Sequence, residues 1–269
     1  DLTAHNCVTG LEKFDDIVRI EQSALARMRR SNVATYSDVY SEIRSVFART
    51  REAAEAGLTA KHFSFNTPGG RCETCGGLGY IENNMLFFSN TEITCPCCHG
   101  SRFSEEVLAV RYKGLSVKEV LDLSVEEAAE VFNGHKSIMA ALNLLTEVGL
   151  KYLQLGQTLT TLSGGEGQRL KLARELIGSG RTRHNLYLMD EPTTGLHPAD
   201  IDHFLKLLNR LVDSGSTVVV VEHNQQIIRN SDWVIDLGPV GGENGGYVLY
   251  EGTPEEMKRS AASVTARYL

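Results

Sequence analysis

The sequence has 269 residues, of which 42% are hydrophobic and 23% charged, and its formal net charge is −7 at pH 7. This composition is ordinary for a globular chain of one or two domains, and the charge excludes a chain that is basic throughout. It does not exclude a nucleic-acid ligand, because such binding depends on local basic patches. Asp1–Gly10 lacks the features of a signal peptide, and the apolar run Val218–Val221 is too short to span a bilayer.

The predicted elements of the first half surround a segment that is rich in Gly and Cys. The alternating residues of Phe14–Glu21 predict a short strand, and the apolar spacing of Tyr36–Ala48 favours a helix. The segment 67–102 has little helical periodicity and a β-like tract at Met85–Phe88. Three helical patterns follow. The first is Ser116–Leu121, the second begins at Ser124 and Glu127, which form a capping-box signature, and the third is Ile138–Leu150.

From Leu155 onward, helices and strands alternate as in an α/β fold. Helices are predicted over Glu166–Ile177 and Ile201–Val212. Strands are predicted over Leu186–Met189, Thr217–Val221, Trp233–Leu237 and Gly246–Glu251. Because the first two of these strands are almost continuously apolar, they predict a sheet that is covered on both faces.

Two CxxC pairs predict a metal site. Cys72 and Cys75 form the first pair, and Cys95 and Cys98 form the second after nineteen intervening residues. Together they can complete a closed tetrahedral shell of thiolates, which predicts one structural zinc ion, with unpaired core cysteines as the alternative. Cys97 breaks the paired spacing and is the weaker ligand candidate. Such cysteine usage is typical of a reducing compartment, so a cytoplasmic protein is expected.

The segment Leu162–Arg169, LSGGEGQR, predicts a contact with a nucleotide. Ser163, Gly164 and Gly165 lie just before a predicted helix, where free backbone amides and the helix dipole can hold an anion. Small residues there let phosphate approach the backbone. The alternative is that Ser163 is an ordinary helix N-cap.

Polar residues follow the predicted strands of the second half. Asp190 and Glu191 end one strand, where Asp190 can hold Mg²⁺ and Glu191 can polarise an attacking water. His223 ends the next strand and is a candidate for contacting a γ-phosphate, and Gln22, after the first strand, is a weaker candidate for contacting Mg²⁺ and water. The alternatives are a chance acidic pair, a surface or core histidine and a glutamine without a specific role.

No G-x-x-x-x-G-K-[ST] phosphate loop occurs in the 269 residues. That loop holds the β- and γ-phosphates of ATP in related ATPases. We therefore expect this chain to be the C-terminal part of a larger ATPase and to be inactive when isolated.

Longer phrases of the sequence resemble the UvrA family of DNA-repair ATPases. They include LSGGEGQRLKLARELI, LMDEPTTGLHPADI, VVVVEHN and HFSFNTPGGRCETCGG, and the resemblance covers almost the whole chain. It implies an α/β fold: the C-terminal part of an ABC-type ATPase domain, with a P-loop NTPase-like sheet, helices on both faces, and an inserted helical signature domain carrying the zinc module. The implied divisions are 1–22 and 155–269 for the ATPase core and 23–154 for the insertion, with zinc at 67–102.

The resemblance also implies roles for single residues. Gln22 corresponds to the Q-loop glutamine, Asp190 and Glu191 to the Walker B pair, Thr193–His197 to the D-loop region, and His223 to the switch histidine. The signature residues are Ser163, Gly164, Gly165, Glu166 and Gln168.

By the same resemblance, the complete protein is a homodimer that binds DNA and ATP with Mg²⁺, recognises damage and hands it to UvrB. Gly167, Val33 and Cys97 depart from the usual family residues, so a UvrA-like paralogue linked to drug resistance is an alternative. An ABC ATPase of another class leaves the CxxC pairs unexplained, and a DnaJ-like zinc module leaves Leu162 to His223 unexplained.

A run of basic residues before and beside the CxxC pairs predicts contact with DNA phosphates. A solvated basic face is the alternative. The candidates are Arg27, Arg29, Arg30, Arg44, Arg49, Arg51, Lys61 and Arg71.

Overall fold

The computed structural model describes residues 9–21, 30–83, 91–178, 184–241 and 245–269. The chain divides into two compact units. The first unit combines Asp1–Gln22 with Arg181–Leu269, and the second is the continuous segment Ser23–Gly180. None of the helices in the described ranges is long and apolar enough to cross a membrane.

Seven strands and eleven α-helices are found in the described residues. The strands are β1 (Asp16–Ile20), β2 (Tyr80–Asn83), β3 (Thr91–Thr94), β4 (Asn185–Asp190), β5 (Thr217–Val221), β6 (Val234–Gly238) and β7 (Tyr247–Gly252). The helices are α1 (Val33–Tyr36), α2 (Val39–Ala48), α3 (Arg51–Glu55), α4 (Glu105–Ala109), α5 (Val117–Asp122), α6 (Val125–Val131), α7 (Lys136–Glu147), α8 (Gly164–Gly178), α9 (Pro198–Asp213), α10 (Gln225–Arg229) and α11 (Pro254–Met257).

The first unit is built on a parallel sheet with the strand order β1-β4-β5. Strand β4 is central and pairs in parallel with both neighbours, so that Ile20 lies opposite Met189 and Asp190 lies opposite Val221. Helix α9 packs against β5. Strands β6 and β7 form a separate antiparallel pair. This arrangement confirms the predicted mixed α/β fold with a parallel sheet, and it brings the carboxyl ends of β4 and β5 side by side.

Strand β5 differs from the prediction of a sheet covered on both faces. Its residues alternate in exposure, and the side chains of Val219 and Val221 are 49% and 56% exposed. Because β5 is an edge strand of this sheet and α9 packs against it, Val218 and Val220 are partly buried while the alternate residues are exposed. An unbroken apolar run cannot distinguish these two cases.

Several short helices of the second unit begin at side-chain caps. Ser124 and Glu127 form the predicted capping box at the start of α6, and Ser116 and Glu119 form another before α5. The helix predicted from Tyr36 begins instead at Val39. Asp38 adopts a left-handed conformation with φ of 64°, which interrupts the helical path between α1 and α2.

Buried aromatic rings connect these helices to the segment that contains the cysteines. The rings of Phe47 and Phe63 lie 5.4 Å apart, and Phe65 meets Phe103 edge-on at 6.0 Å between centroids. Gly77 must lie close to Phe65, because a Cβ at Gly77 would come within 1.7 Å of the Phe65 carbonyl oxygen. The cysteine segment is therefore closely packed against the aromatic core of its unit.

Candidate functional site

The four cysteines of the two CxxC pairs come together in one cluster. Their sulfur atoms all lie within 4.8 Å of one another. The Cys72 and Cys95 sulfurs are 3.9 Å apart, and those of Cys75 and Cys98 are 3.7 Å apart. A tetrahedral zinc ion with Zn–S distances of about 2.3 Å requires sulfur atoms about 3.8 Å apart. The donor set and its spacing therefore fit one zinc ion.

The backbone around the cluster holds the two pairs together. Strands β2 and β3 lie between the pairs as an antiparallel hairpin, and the amide of Cys95 donates to the carbonyl of Gly79. The amide of Gly79 donates to the Cys75 sulfur at 3.3 Å, a contact typical of the shell around a zinc–thiolate site. The amide of Cys72 donates to the carbonyl of Arg102, which joins the two ends of the segment that contains the four cysteines.

The electrostatics of the cluster favour a bound cation. Burial raises the pKa of Cys98 to about 12. Burial also acts against the Cys72 thiolate, but hydrogen bonds from Cys75 and Thr74 outweigh it and lower the pKa of Cys72 to about 6. A divalent metal ion is what allows four adjacent sulfurs to be thiolates together.

Cys97 lies outside this cluster. It is exposed, although it is the immediate neighbour of Cys98. The paired spacing of the sequence predicts the same four cysteines that the structure groups, while Cys7 lies outside the described residues.

The signature segment begins helix α8. The Ser163 amide donates to Glu166 Oε2 at 2.7 Å, and the Glu166 amide donates to Ser163 Oγ at 3.3 Å, so these residues form a capping box. Gln168 is buried. Ser163 is therefore a helix N-cap, which was the alternative interpretation of this residue, and its anion-binding role stays a prediction.

Tyr152 contacts the signature segment from outside it, and the sequence motif does not reveal this contact. Its hydroxyl donates to Glu166 Oε1 at 2.6 Å. Burial, followed by the hydrogen bond to Glu166 and its charge, raises the pKa of Tyr152 to about 12, so Tyr152 keeps its proton. Tyr152 lies outside the LSGGEGQR motif, and no spacing rule connects it to Glu166.

The polar residues after β4 and β5 meet at one edge of the parallel sheet. His223 Nε2 lies 3.5 Å from Glu191 Oε1, and the His223 side chain is largely exposed. Glu191 has a φ of 46°, an uncommon conformation for a non-glycine residue, and its amide donates to the Val221 carbonyl at 2.8 Å. Asp190 is the last residue of β4 and is exposed. The sheet thus places the predicted Asp190, Glu191 and His223 at adjacent strand ends.

The described basic candidates differ in what surrounds them. Arg71 forms an ion pair with Glu73 at 3.1 Å, and Arg51 pairs with Glu55 at 3.0 Å. The guanidinium of Arg44 lies 5.8 Å from the Tyr40 ring centroid. Arg30 and Lys61 are exposed. Arg71 and Arg51 therefore have carboxylate partners already. The exposed candidates Arg30, Arg49 and Lys61 are better placed to bind phosphate.

Three predicted residues have no structural description. Gln22, Arg27 and Arg29 lie outside the described residues, so their predicted contacts stay predictions.

The chain combines three features. They are a parallel sheet with acidic and histidine side chains at its strand ends, a glycine-rich helix start and a four-cysteine module. No family model matches the sequence. It is 49% identical over 265 residues to UvrABC system protein A of Vibrio cholerae, which covers 98% of the chain and 28% of the relative. It is 49% identical over 262 residues to UvrABC system protein A of Aquifex aeolicus, with coverage of 97% and 28%.

A crystal structure of UvrA2 from Deinococcus radiodurans has a similar fold. It superposes with a TM-score of 0.85 at 48% sequence identity, and the match covers 96% of this chain and 32% of that one. These findings confirm the resemblance predicted from the motifs: the chain is similar in sequence and fold to UvrA-type proteins and matches their C-terminal part. It spans 28% of the length of these curated relatives.

Proposed function

We propose that this chain is the C-terminal ATPase part of a UvrA-type protein of nucleotide excision repair. The observation that carries this proposal is the contact of Glu191 with His223 at the ends of the adjacent strands β4 and β5. A carboxylate and an imidazole placed together in this way suit the orientation of a water molecule against a phosphoryl group. The sequence similarity to UvrABC system protein A supports ATP as the nucleotide.

The roles of the strand-end residues follow from their chemistry. Bound Mg²⁺ supplies positive charge that offsets the charge of the phosphates. Asp190 offers the carboxylate oxygen that this ion prefers, and Gln22 is assigned a further contact with it. Glu191 orients the attacking water, and the exposed ring of His223 contacts the γ-phosphate.

The signature segment is proposed to bind nucleotide as well. The N-terminus of a 15-residue helix favours an anion through its dipole, and small residues leave room for phosphate. The residues assigned to this role are Ser163, Gly164, Gly165, Glu166 and Gln168. Helix α8 groups with the second compact unit, whereas the domain division proposed from the family resemblance places 155–269 in the ATPase core and 23–154 in the insertion.

Zinc bound by Cys72, Cys75, Cys95 and Cys98 is proposed to be structural. Four cysteine ligands leave no open position for a substrate. When bound, the ion supplies the cross-link that holds the two CxxC pairs in one module.

The wider activity of the complete protein is also a proposal. It includes DNA binding, recognition of lesions, loading of UvrB, homodimer formation and a cytoplasmic location. The similarity to relatives that are UvrABC system protein A supports a role in excision repair. Among the described basic candidates, the exposed residues Arg30, Arg49 and Lys61 are proposed to contact DNA.

The test is Glu191→Gln in the complete polypeptide to which this sequence belongs. Removing the charge of the carboxylate should leave ATP binding near the wild-type level and lower the hydrolysis rate about a hundredfold or more. The matched control is Glu251→Gln, which changes an exposed carboxylate on β7 and should leave hydrolysis unchanged. Wild-type hydrolysis by the Glu191 variant would contradict the proposal.

A UvrA-like paralogue is the second candidate, and the similarity to UvrA2 from Deinococcus radiodurans favours it. The two candidates differ in whether the protein replaces UvrA in repair. The complete protein, expressed in bacteria that lack their own UvrA, should restore survival after ultraviolet irradiation if it serves excision repair. A failure to restore survival, with ATP hydrolysis intact, would favour the paralogue.

A further inference from the structure

One carboxylate joins the segments that follow β4 and β5. Glu222 Oε1 accepts hydrogen bonds from the Thr193 amide at 2.9 Å and from Thr193 Oγ1 at 2.5 Å. Glu222 Oε2 accepts from the amides of His223 at 3.0 Å and Asn224 at 3.1 Å. A single side chain therefore binds donors on two loops that are 29 residues apart in the sequence.

These contacts require a charged acceptor. Four donors converge on two oxygen atoms, and hydrogen bonds to an ionised acceptor are about twice as strong as neutral ones. In the described part of the chain, Glu222 forms no ion pair with a lysine or arginine. The negative charge of Glu222 is thus balanced by backbone amides and one hydroxyl, which are also the groups that fix the two loops.

The loops that Glu222 joins are those that carry the proposed water-orienting and phosphate-contacting residues. Thr193 lies two residues after Glu191, and His223 directly follows Glu222. The conformation of Glu191 has a positive φ, which costs free energy unless the surrounding structure holds it. The 3.5 Å contact between Glu191 and His223 therefore depends on the relative placement of two loops. The Glu222 carboxylate joins these loops, together with the bond from the Glu191 amide to the Val221 carbonyl.

We propose that Glu222 is a positioning residue for ATP hydrolysis, which holds Glu191 and His223 in register through its four hydrogen bonds. This inference rests on the proposed ATPase function of the same strand ends. Glu222 acts through Thr193 and the His223 backbone and does not touch the phosphates itself. Its loss is expected to slow the hydrolysis step more than it weakens nucleotide binding, because the geometry it maintains matters most in the transition state.

The first experiment measures the junction in the 269-residue chain itself, without nucleotide. Amide hydrogen exchange is followed by NMR at Thr193, His223 and Asn224 in the wild type and in Glu222→Gln. The amide group of glutamine offers one oxygen and directs N–H donors toward the other donors, so exchange at these residues should accelerate about tenfold or more. The control Glu251→Gln should leave these rates unchanged, and unchanged rates in Glu222→Gln would overturn the proposal.

The second experiment measures ATP hydrolysis by the complete polypeptide. Glu222→Gln should lower kcat about ten- to a hundredfold with little change in KM. Thr193→Val should lower kcat less than Glu222→Gln does, because the Thr193 amide still donates to Glu222. Thr193→Ser keeps the hydroxyl and should have a kcat near that of the wild type. The double variant Glu222→Gln/Thr193→Val should be no slower than Glu222→Gln alone, since both changes break one junction.

The outcomes separate this proposal from the proposed function. Hydrolysis that is lost in Glu191→Gln but normal in Glu222→Gln would overturn the positioning role and leave the ATPase assignment standing. A complete wild-type polypeptide that does not hydrolyse ATP would overturn the ATPase assignment, whereas the exchange rates would still report whether the junction exists. An equal decrease of kcat in Thr193→Ser and Thr193→Val would also contradict the mechanism, because serine keeps the hydroxyl donor.

Discussion

Glu166 fixes the first turn of the signature helix through both of its carboxylate oxygens. One oxygen accepts from the Ser163 amide, and the other accepts from the Tyr152 hydroxyl. Burial raises the pKa of Glu166, but the hydrogen bonds from Tyr152 and Ser163 outweigh it, so the pKa lies below the ordinary value and the group stays ionised. The Ser163 amide is therefore already hydrogen-bonded to the Glu166 carboxylate. An anion that binds at this helix start would lie next to that negative charge.

The cysteine cluster gives a sharp prediction for single residues. Cys98→Ser should lose the zinc or weaken its binding strongly, because the variant leaves three thiolates, whereas Cys97→Ser should keep one zinc per chain. Elemental analysis of the purified proteins measures both. Cys97 is the matched control, since it neighbours Cys98 in the sequence but is exposed and outside the cluster. Zinc retained by Cys98→Ser and lost by Cys97→Ser would reverse the ligand assignment.

The short helices of the second unit depend on their capping boxes. Helices α5 and α6 have six and seven residues and are too short to be stable alone. Each begins with a serine whose side chain accepts from the amide three residues later, while the glutamate at that position binds back to the serine. Hydrogen bonds from the Ser116 side chain and backbone hold the pKa of Glu119 below its ordinary value.

This lowered pKa predicts how the stability of the unit depends on pH. A carboxylate whose pKa is lower in the folded state stabilises that state above its unfolded pKa, which is near 4.5 for Glu119, and the contribution is lost as pH falls through the folded pKa. Glu119→Gln should therefore lose stability at pH 7 and show a weaker dependence on pH below about 4.5. Ser116→Ala should cost about 1 kcal/mol.

Urea unfolding at pH 7 and at pH 3 measures these differences. The matched control is Glu130→Gln, which changes an exposed glutamate on α6. Equal pH dependence in wild type and Glu119→Gln would show that the capping box does not contribute to acid sensitivity.

The elements show which features could be predicted from the sequence. The capping box at Ser124 and the strand at Thr217–Val221 could be predicted because the sequence pattern that indicates each one lies within a few neighbouring residues. The left-handed Asp38 could not, because Asp has no strong preference for that conformation and the surrounding fold selects it. The Glu222–Thr193 junction and the Tyr152–Glu166 contact bring together residues whose distance in the chain carries no signal.

At the scale of the whole molecule, the proposed DNA binding gives a prediction for the basic candidates. Arg30→Ala/Lys61→Ala should weaken binding to duplex DNA and lower the slope of log affinity against log salt by about one for each phosphate that the variant no longer neutralises. Arg71→Ala should have a smaller effect, because Arg71 is already paired with Glu73. Titrations at two salt concentrations measure both.

The matched control is Lys258→Ala in the other compact unit, where Lys258 pairs with Glu255. Affinity and salt dependence that are the same for Arg30→Ala/Lys61→Ala and wild type would exclude these two side chains from the DNA surface.

Exposed apolar side chains concentrate on the two sheets of the first unit. Besides Val219 and Val221 on β5, they include Ile235 and Leu237 on β6 and Val248 on β7.

The division of the chain has a consequence for its synthesis. Strand β1 pairs with β4, and the hydrogen bond between Asp15 and His184 beside this pair spans 169 residues of sequence. Strand β1 therefore leaves the ribosome long before its partner. At a synthesis rate of roughly 5–20 residues per second, β4 follows β1 after about ten to thirty seconds. Ser23–Gly180 emerges as one uninterrupted stretch in that interval and can complete its own folding first. The parallel sheet, and with it the Glu191–His223 edge, can therefore form only after Ser23–Gly180 has been synthesised.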